Sequence, residues 1–430
     1  MRVAPNRWAA FPALALFLIF LSTRASQEIY AADAIGLQVG NLPHRSRQSG
    51  ELSPISSAVA AAGETVFALR ADNILLAFGA SGESPAEIRL ASPPPAVPMF
   101  AEQLLATNLN QSILFALVMS DAQSHQSVAV VDTAEVKVLK SIPVADGVKF
   151  RCIAIGARTG HIYLTGNEVR TSQAPRQTHG NLTVGNPVVW VLDSNDGTVL
   201  HKWNLNLPDE YDWWVYQAEP SADEKNILVS YHGSSTTGID SFEVAQDELV
   251  RCKDRKKPQM GCMPVHGGFV QMGDRLFATT GQAEILEYRS GTVQQVFNSE
   301  LEGSHLMEFA VDRGRERIYA IGSCGFAGGL SVMRLSDGGQ PAKLNANGWS
   351  WDLLGNPAPK PQVLFRKREM CGERIAVGSG SVIVIAQTHG PESLDTPDAL
   401  LFLDGEAGKV ISRFTPSSKL VGVAVVHIGI

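Results

Sequence analysis

The sequence predicts an all-β chain, a single seven-bladed β-propeller of four-stranded antiparallel blades. Three observations carry that reading. A phrase of apolar run, tight polar turn and second apolar run recurs seven times; a further pair of strand-like runs precedes each copy; and helical periodicity is nearly absent from a chain with 39 Gly and 23 Pro.

In chain order the repeated phrases are Asn73–Leu90, Ser127–Val144, Val188–Leu205, Gly238–Lys253, Ala283–Asn298, Gly329–Asn345 and Ala399–Thr415. Each reads as a β-hairpin, because Val, Ile, Leu and Phe favour a pleated surface and Asp, Gly, Ser and Asn favour the turn. The strand pairs upstream are Ala58–Arg70, Gln111–Met119, Cys152–Gly166, Ala218–Gly233, Gly267–Gly281, Phe309–Ser323 and Ile375–His389. The turn anchors Gly79, Asp132, Asp193, Val244, Tyr288, Leu335 and Asp404 lie 44 to 69 residues apart, more than a minimal blade needs, so several connections are long. A lone blade cannot bury both faces, and stacking blades around an axis does so while leaving only short edges. The same spacing leaves six or eight blades, or a pair of β-sandwiches, as competing readings. Leu420–Val426 is a last strand with no hairpin of its own, placed to close the ring on the first blade.

The repeats carry a resemblance. Ser221-Ala222-Asp223-Glu224-Lys225 stands where a turn of the type S-P-D-G is expected. Val191-Leu192-Asp193 with Asp196-Gly197-Thr198-Val199, and Phe402-Leu403-Asp404 with Ala407-Gly408-Lys409-Val410, match a strand followed by D-x-x-T-G-K-V. Over about residues 55–427 the chain resembles the YVTN-type and quinoprotein-dehydrogenase-like seven-bladed propellers. The resemblance implies the fold and hardly constrains activity, because lactonases, quinone enzymes and pure binding proteins share it. The vicinal Cys-Cys pair of quinoprotein alcohol dehydrogenases does not occur here.

The N-terminus reads as an export signal. Arg2 and Arg7 precede the apolar stretch Trp8–Leu21, and Ala32-Asp33-Ala34 offers a small-residue cleavage site. Residues 1–34 are then a signal peptide, 35–57 a lead-in and 58–430 the propeller, in a secreted or periplasmic protein with no membrane span after signal removal. A net charge of −7 argues against a nucleic-acid partner.

In a propeller the first-to-second and third-to-fourth turns of each blade share one face, and the other connections share the opposite face. The first group is short throughout. The long segments Arg170–Pro187, Asn206–Gln217, Cys252–His266, Leu344–Arg374 and His389–Asp398 are assigned to the second group, which makes that face the expected site of binding. Trp213, Trp214, Trp349 and Trp351 lie in these segments as candidate ligand contacts, and His232 and His389 each end a second strand there. His266, Glu219 and Glu308 fall near the starts of inner strands at the channel mouth, where a His beside carboxylates suits general-base work or metal ligation.

Five Cys in an exported chain leave an odd one. Cys252 with Cys262 would pin one long loop, Cys324 with Cys371 would fasten two neighbouring blades, and Cys152 reads as a small buried side chain. Cys252, Cys262 and His266 also form a fragment of a zinc pattern with no second ligand pair, so neither metal nor cofactor is expected. Asn110 and Asn181 begin glycosylation triplets, usable only in a eukaryotic secretory pathway. No nucleophile elbow or phosphate-binding loop is present. These features favour a binding scaffold for a protein, glycan or small molecule. A lactonase-like hydrolase and, third, a quinone-dependent redox protein are the alternatives.

Overall fold

In the first two sheets the middle strands are buried almost throughout and the outermost strand is alternately exposed, as in blades stacked face to face. The computed structural model describes residues 64–79, 82, 84–92, 103–119, 125–144, 146–169, 184–205, 214–221, 223–232, 237–245, 248–251, 262–263, 268–272, 275–279, 284–289, 292–298, 306–312, 315–322, 329–335, 340–344, 351–353, 363–367, 370, 372, 374–377, 382–387, 399–417 and 420–427. These belong to one compact unit, residues 54–177 and 183–430. The expected signal peptide and lead-in lie outside the described residues. Among the described residues no helix is long and apolar enough to cross a membrane.

The strands follow in order. β1 (Glu64–Arg70), β2 (Ile74–Gly79) and β3 (Ala86–Arg89) form the first antiparallel run, and β4 (Leu105–Thr107), β5 (Ile113–Met119), β6 (Gln126–Asp132) and β7 (Lys137–Val144) the second. The third comprises β8 (Val148–Ile155), β9 (Ile162–Val169), β10 (Val184–Leu192) and β11 (Val199–Asn204). The fourth has β12 (Trp214–Pro220), β13 (Asn226–His232), β14 (Thr237–Ala245) and β15 (Glu248–Arg251), with the short β16 (Cys262–Met263) also on β14. Next come β17 (Phe269–Met272), β18 (Arg275–Thr279), β19 (Glu284–Arg289) and β20 (Thr292–Asn298), then β21 (Leu306–Asp312), β22 (Arg317–Gly322) and β23 (Leu330–Arg334). β24 (Gln340–Leu344), β25 (Trp351–Leu353) and β26 (Val363–Lys367) precede the last sheet, β27 (Arg374–Val377), β28 (Val382–Gln387), β29 (Ala399–Asp404) and β30 (Val410–Phe414). β31 (Leu420–His427) returns to pair antiparallel with β1, Phe67 opposite Ala424, so the final strand completes the first sheet.

The chain is thus an all-β propeller of antiparallel blades, and its described strands form seven sheets. β5 and β6 are buried almost end to end, whereas the outer strand β7 alternates. The core is correspondingly not one mass but a succession of layers between neighbouring sheets. Val66, Leu76 and Phe78 of the first sheet pack on Leu400 and Phe402 of the last. Leu228 and Ile239 meet Phe269 and Leu276, Phe277 and Ile285 meet Phe309 and Ile318, and Tyr319 and Val332 meet Ile375 and Leu403.

Six of the seven expected hairpins pair as the sequence implies. The sixth copy, Gly329–Asn345, does not. β23 takes β26 as its outer partner, Val332 opposite Phe365. The segment between them crosses to the preceding sheet, where β24 pairs with β20 and β25 extends it. The segment Leu344–Arg374, expected as a fourth-to-first connection, therefore lies largely within a third-to-fourth connection, and Trp351 opens a strand at the outer edge of the preceding sheet. The physical reason is edge satisfaction: Gln340–Leu344 can cover the open edge of β20, while Val363–Lys367 supplies the strand that β23 needs.

Close packing makes Gly166 sensitive. It sits in β9 opposite both Phe150 and Val188, and a Cβ there would overlap the Lys149 carbonyl oxygen and the Phe150 Cα. Gly166→Ala is expected to cost about 1–3 kcal/mol in denaturant unfolding, since main chain cannot yield as a flexible side chain would. Deletion of residues 417–430 is expected to abolish the cooperative unfolding transition, because it removes β31 and leaves one edge of β1 unpaired.

Candidate functional site

Strand alternation decides which side chains meet in the middle. The innermost strands β4, β12, β17, β21 and β27 contribute residues to one cavity of about 240 Å³. Its polar lining is Gln103, Gln217, Glu219, Gln271, Glu308 and Arg374, and Leu104, Leu105, Phe269 and Phe309 supply apolar wall. Gln217 and Glu219 are two residues apart on β12, so the period of the pleat puts them on one side. In β12 and in β21 the register slips by a residue, just before Gln217 and just before Glu308 respectively. Such bulges re-aim the side chain that follows.

The slips give Gln217 and Glu308 equivalent work. Gln217 donates from Nε2 to the Phe269 carbonyl at 2.9 Å and accepts from the Phe269 N–H at 2.9 Å, pairing with the next inner strand as a backbone would. Glu308 Oε2 accepts the Ile375 N–H at 3.0 Å, also on the next inner strand. Its Oε1 accepts from Arg374 Nη1 at 3.1 Å. Burial pushes the Glu308 carboxyl up from its ordinary range, opposed by the Arg374 charge and the Ile375 N–H.

Glu219 differs in kind. Its Oε1 accepts from Gln217 Nε2 at 2.9 Å and from Gln103 Nε2 at 3.2 Å, both neutral amides. Among the described residues no cation is paired with it. Burial raises its carboxyl above the ordinary value, and the two amide hydrogen bonds offset that only in part. The Gln103 amide oxygen is itself buried and accepts no hydrogen bond among the described residues.

Of the residues singled out in the sequence, the structure brings Glu219 and Glu308 to the cavity. Glu219 is the sixth residue of the seven in β12, deeper than the strand start expected for it. Trp214 opens the same strand, opposite His232 in the register. Trp351 opens β25, and Cys262 opens β16 opposite Asp240. Cys152 is buried in β8 as expected. Asn110 sits exposed in the β4–β5 turn, its Oδ1 accepting from Ser112 Oγ at 2.8 Å. Trp213, Trp349, His266, His389, Cys252, Cys324, Cys371 and Asn181 lie outside the described residues. Among the described residues no group of His, Cys, Asp and Glu is arranged to hold a metal ion.

Sequence reasoning missed Gln103, Gln217 and Arg374. For Gln217 a signal existed, because it shares the face of Glu219 at period two. Gln103 and Arg374 precede short apolar runs and carry no motif.

No family model matches the chain, and no curated protein does. Solved structures are similar in fold. A putative 6-phosphogluconolactonase from Bacteroides fragilis is 10% identical over 87% of this chain and 100% of that chain, with a TM-score of 0.50. A functionally unknown protein from Desulfotomaculum acetoxidans is 10% identical over 84% of this chain and 99% of its own, also with a TM-score of 0.50. A putative 6-phosphogluconolactonase from Bacteroides uniformis is 13% identical over 85% and 100%, at 0.49. Identities this low establish shared architecture alone.

The Arg374–Glu308 pair makes a pH-dependent prediction. Without Arg374 the partly buried carboxylate loses its counter-charge, and its folded-state affinity for a proton rises further. Arg374→Met is therefore expected to destabilise the protein by on the order of 2 kcal/mol near pH 7 and by less near pH 4, where the carboxyl is protonated. Denaturant titrations at both pH values check this, and Glu308→Gln in the same chain should recover most of the loss.

Proposed function

We propose that this chain is an exported seven-bladed propeller that binds a small polar ligand in the cavity between its inner strands. Supporting the blade number are the seven sheets and the apolar layers that join each to the next. The observation that carries the function is Glu219, a carboxylate held by two neutral amides at the wall of a cavity of about 240 Å³. That volume lies just below the roughly 300–1,000 Å³ typical of drug-sized ligand pockets, which suits a smaller molecule. The connection Asn206–Gln217 runs into β12, so Trp213 and Trp214 precede Gln217 and Glu219 on one continuous stretch of sequence, which keeps both as candidate ligand contacts. Export rests on the apolar stretch Trp8–Leu21 and the Ala32-Asp33-Ala34 site, and N-terminal sequencing of the mature protein is expected to begin at Ile35.

A second reading has its own support. Glu219 and Glu308 open to one cavity in unlike settings, the arrangement that separates a general acid from a general base. Two solved structures similar in fold carry the description of putative 6-phosphogluconolactonase. A hydrolase of lactones would use these carboxylates.

A thermal-shift screen of small metabolites, lactones included, tests both readings. For a hit we expect Glu219→Gln to weaken binding at least tenfold and Trp213→Ala to weaken it a few-fold. Turnover of a lactone hit that both Glu219→Gln and Glu308→Gln suppress would favour the hydrolase. Hits indifferent to both carboxylates and lost with Trp213→Ala would move the site out of the cavity onto the connections.

A further inference from the structure

We propose that the ligand of this cavity is a small organic cation, an ammonium or guanidinium group on a short apolar body, with the charged head seated at Glu219. The inference rests on the cavity-binding reading above and deepens it. Three observations on this chain carry it.

The first is the division between the two carboxylates. Glu308 is committed: one oxygen ties the Ile375 main chain and the other holds Arg374, so its charge is balanced inside the protein. Glu219 is positioned by equally specific contacts yet has no counter-charge among the described residues. Gln217 and Gln103 both direct N–H groups at the same oxygen, Oε1, which fixes the carboxylate in place and leaves Oε2 without a donor among the described residues. A half-buried carboxylate in that state is destabilised unless a cation supplies the missing charge.

The second is the charge of the whole lining. With both carboxylates ionised, Glu219, Glu308 and Arg374 are the charged residues of the wall, and together they carry one net negative charge. An anionic ligand must approach a guanidinium already engaged by Glu308 while facing Glu219. A cation meets an unbalanced carboxylate at once.

The third is the remainder of the wall. Leu104, Leu105, Phe269 and Phe309 border the cavity while packing mainly into the layers between sheets, and the volume limits a hydrocarbon body to a few carbons or one ring.

The test uses the full chain and three matched sets of probes. The cations are butylamine, butylguanidine and phenethylamine; butanol, for the first two, and phenethyl alcohol are their neutral counterparts; butyrate and phenylacetate are the corresponding anions. Calorimetric titration is expected to show at least one cation binding ten times or more tighter than its alcohol and acid counterparts. Glu219→Gln should remove that preference, and Glu219→Asp, which keeps the charge on a shorter stem, should retain part of it. Melting curves of both variants confirm that they fold. If no cation binds, or if an acid or alcohol binds as well as its matched cation, the cation assignment is overturned. Neutral or anionic probes that bind and are weakened by Glu219→Gln would overturn it while leaving the cavity as the binding site. Cations that bind with unchanged affinity in Glu219→Gln would overturn both the assignment and the cavity reading.

Discussion

A four-stranded antiparallel sheet with two apolar faces cannot exist alone in water, and the architecture follows from that constraint. Each sheet here covers the face of its neighbour, so the residues that define the core come from different repeats. Phe78 of the first sheet, for example, packs edge-on against Phe402 and Phe414 of the last, with ring centroids 5.2 Å and 5.1 Å away. Burial of this kind fixes the spacing of the sheets but not their rotation about the axis, because apolar contact has no direction.

Direction comes from polar ties between neighbouring repeats. Gln126 grips the Phe150 main chain in the next sheet by both N–H and carbonyl, at 2.6 Å and 2.7 Å, as Gln217 grips Phe269. At the turns, Lys140 reaches the carbonyls of Ser194 and Asn195, and Arg317 reaches the Gly405 carbonyl and Glu406. Glu224 accepts from the N–H groups of Arg158 and Thr159 and from the Thr159 hydroxyl, which holds its carboxyl below the ordinary range despite partial burial. Tyr163, buried beside that carboxylate, is pushed well above its usual value. Each tie ends on main chain or on a turn, so it locks a sheet's register against its neighbour's rather than adding to the core.

What was legible in the sequence was what repeats. Turn chemistry is the clearest case: Asp193 and Asp404 accept main-chain N–H groups within their own turns, and Gly197 and Gly408 four residues on take positive φ of 79° and 64°. The second repeat keeps the geometry with Val136 at a φ of 49°, so only the Asp survives as a signal. The fate of the sixth repeat was not legible, because Gln340–Leu344 and Val363–Lys367 are equally strand-like. Choosing between them depends on which open edge lies nearby, a fact of three dimensions. The cavity was legible in part. Carboxylates on inner strands stand out, but their division of labour depends on amides and an arginine from other sheets.

That division is where architecture and chemistry meet. At equivalent slips of the inner strand, Gln217 and Glu308 both serve to join one blade to the next, and a side chain so employed has less hydrogen-bonding capacity left for a ligand. Two residues beyond its slip, Glu219 sits on the same face of β12 with the structural task already discharged by its neighbour. A glutamine at 219 would match its shape, accept the same two amide hydrogen bonds and avoid the cost of a buried charge. Retaining the acid at that position sacrifices stability at neutral pH, since the raised carboxyl prefers its proton in the folded state and that preference is lost as pH rises past it. A residue that costs stability at neutral pH and holds only two neutral amides, which a glutamine would hold as well, is better explained by what enters the cavity than by what surrounds it.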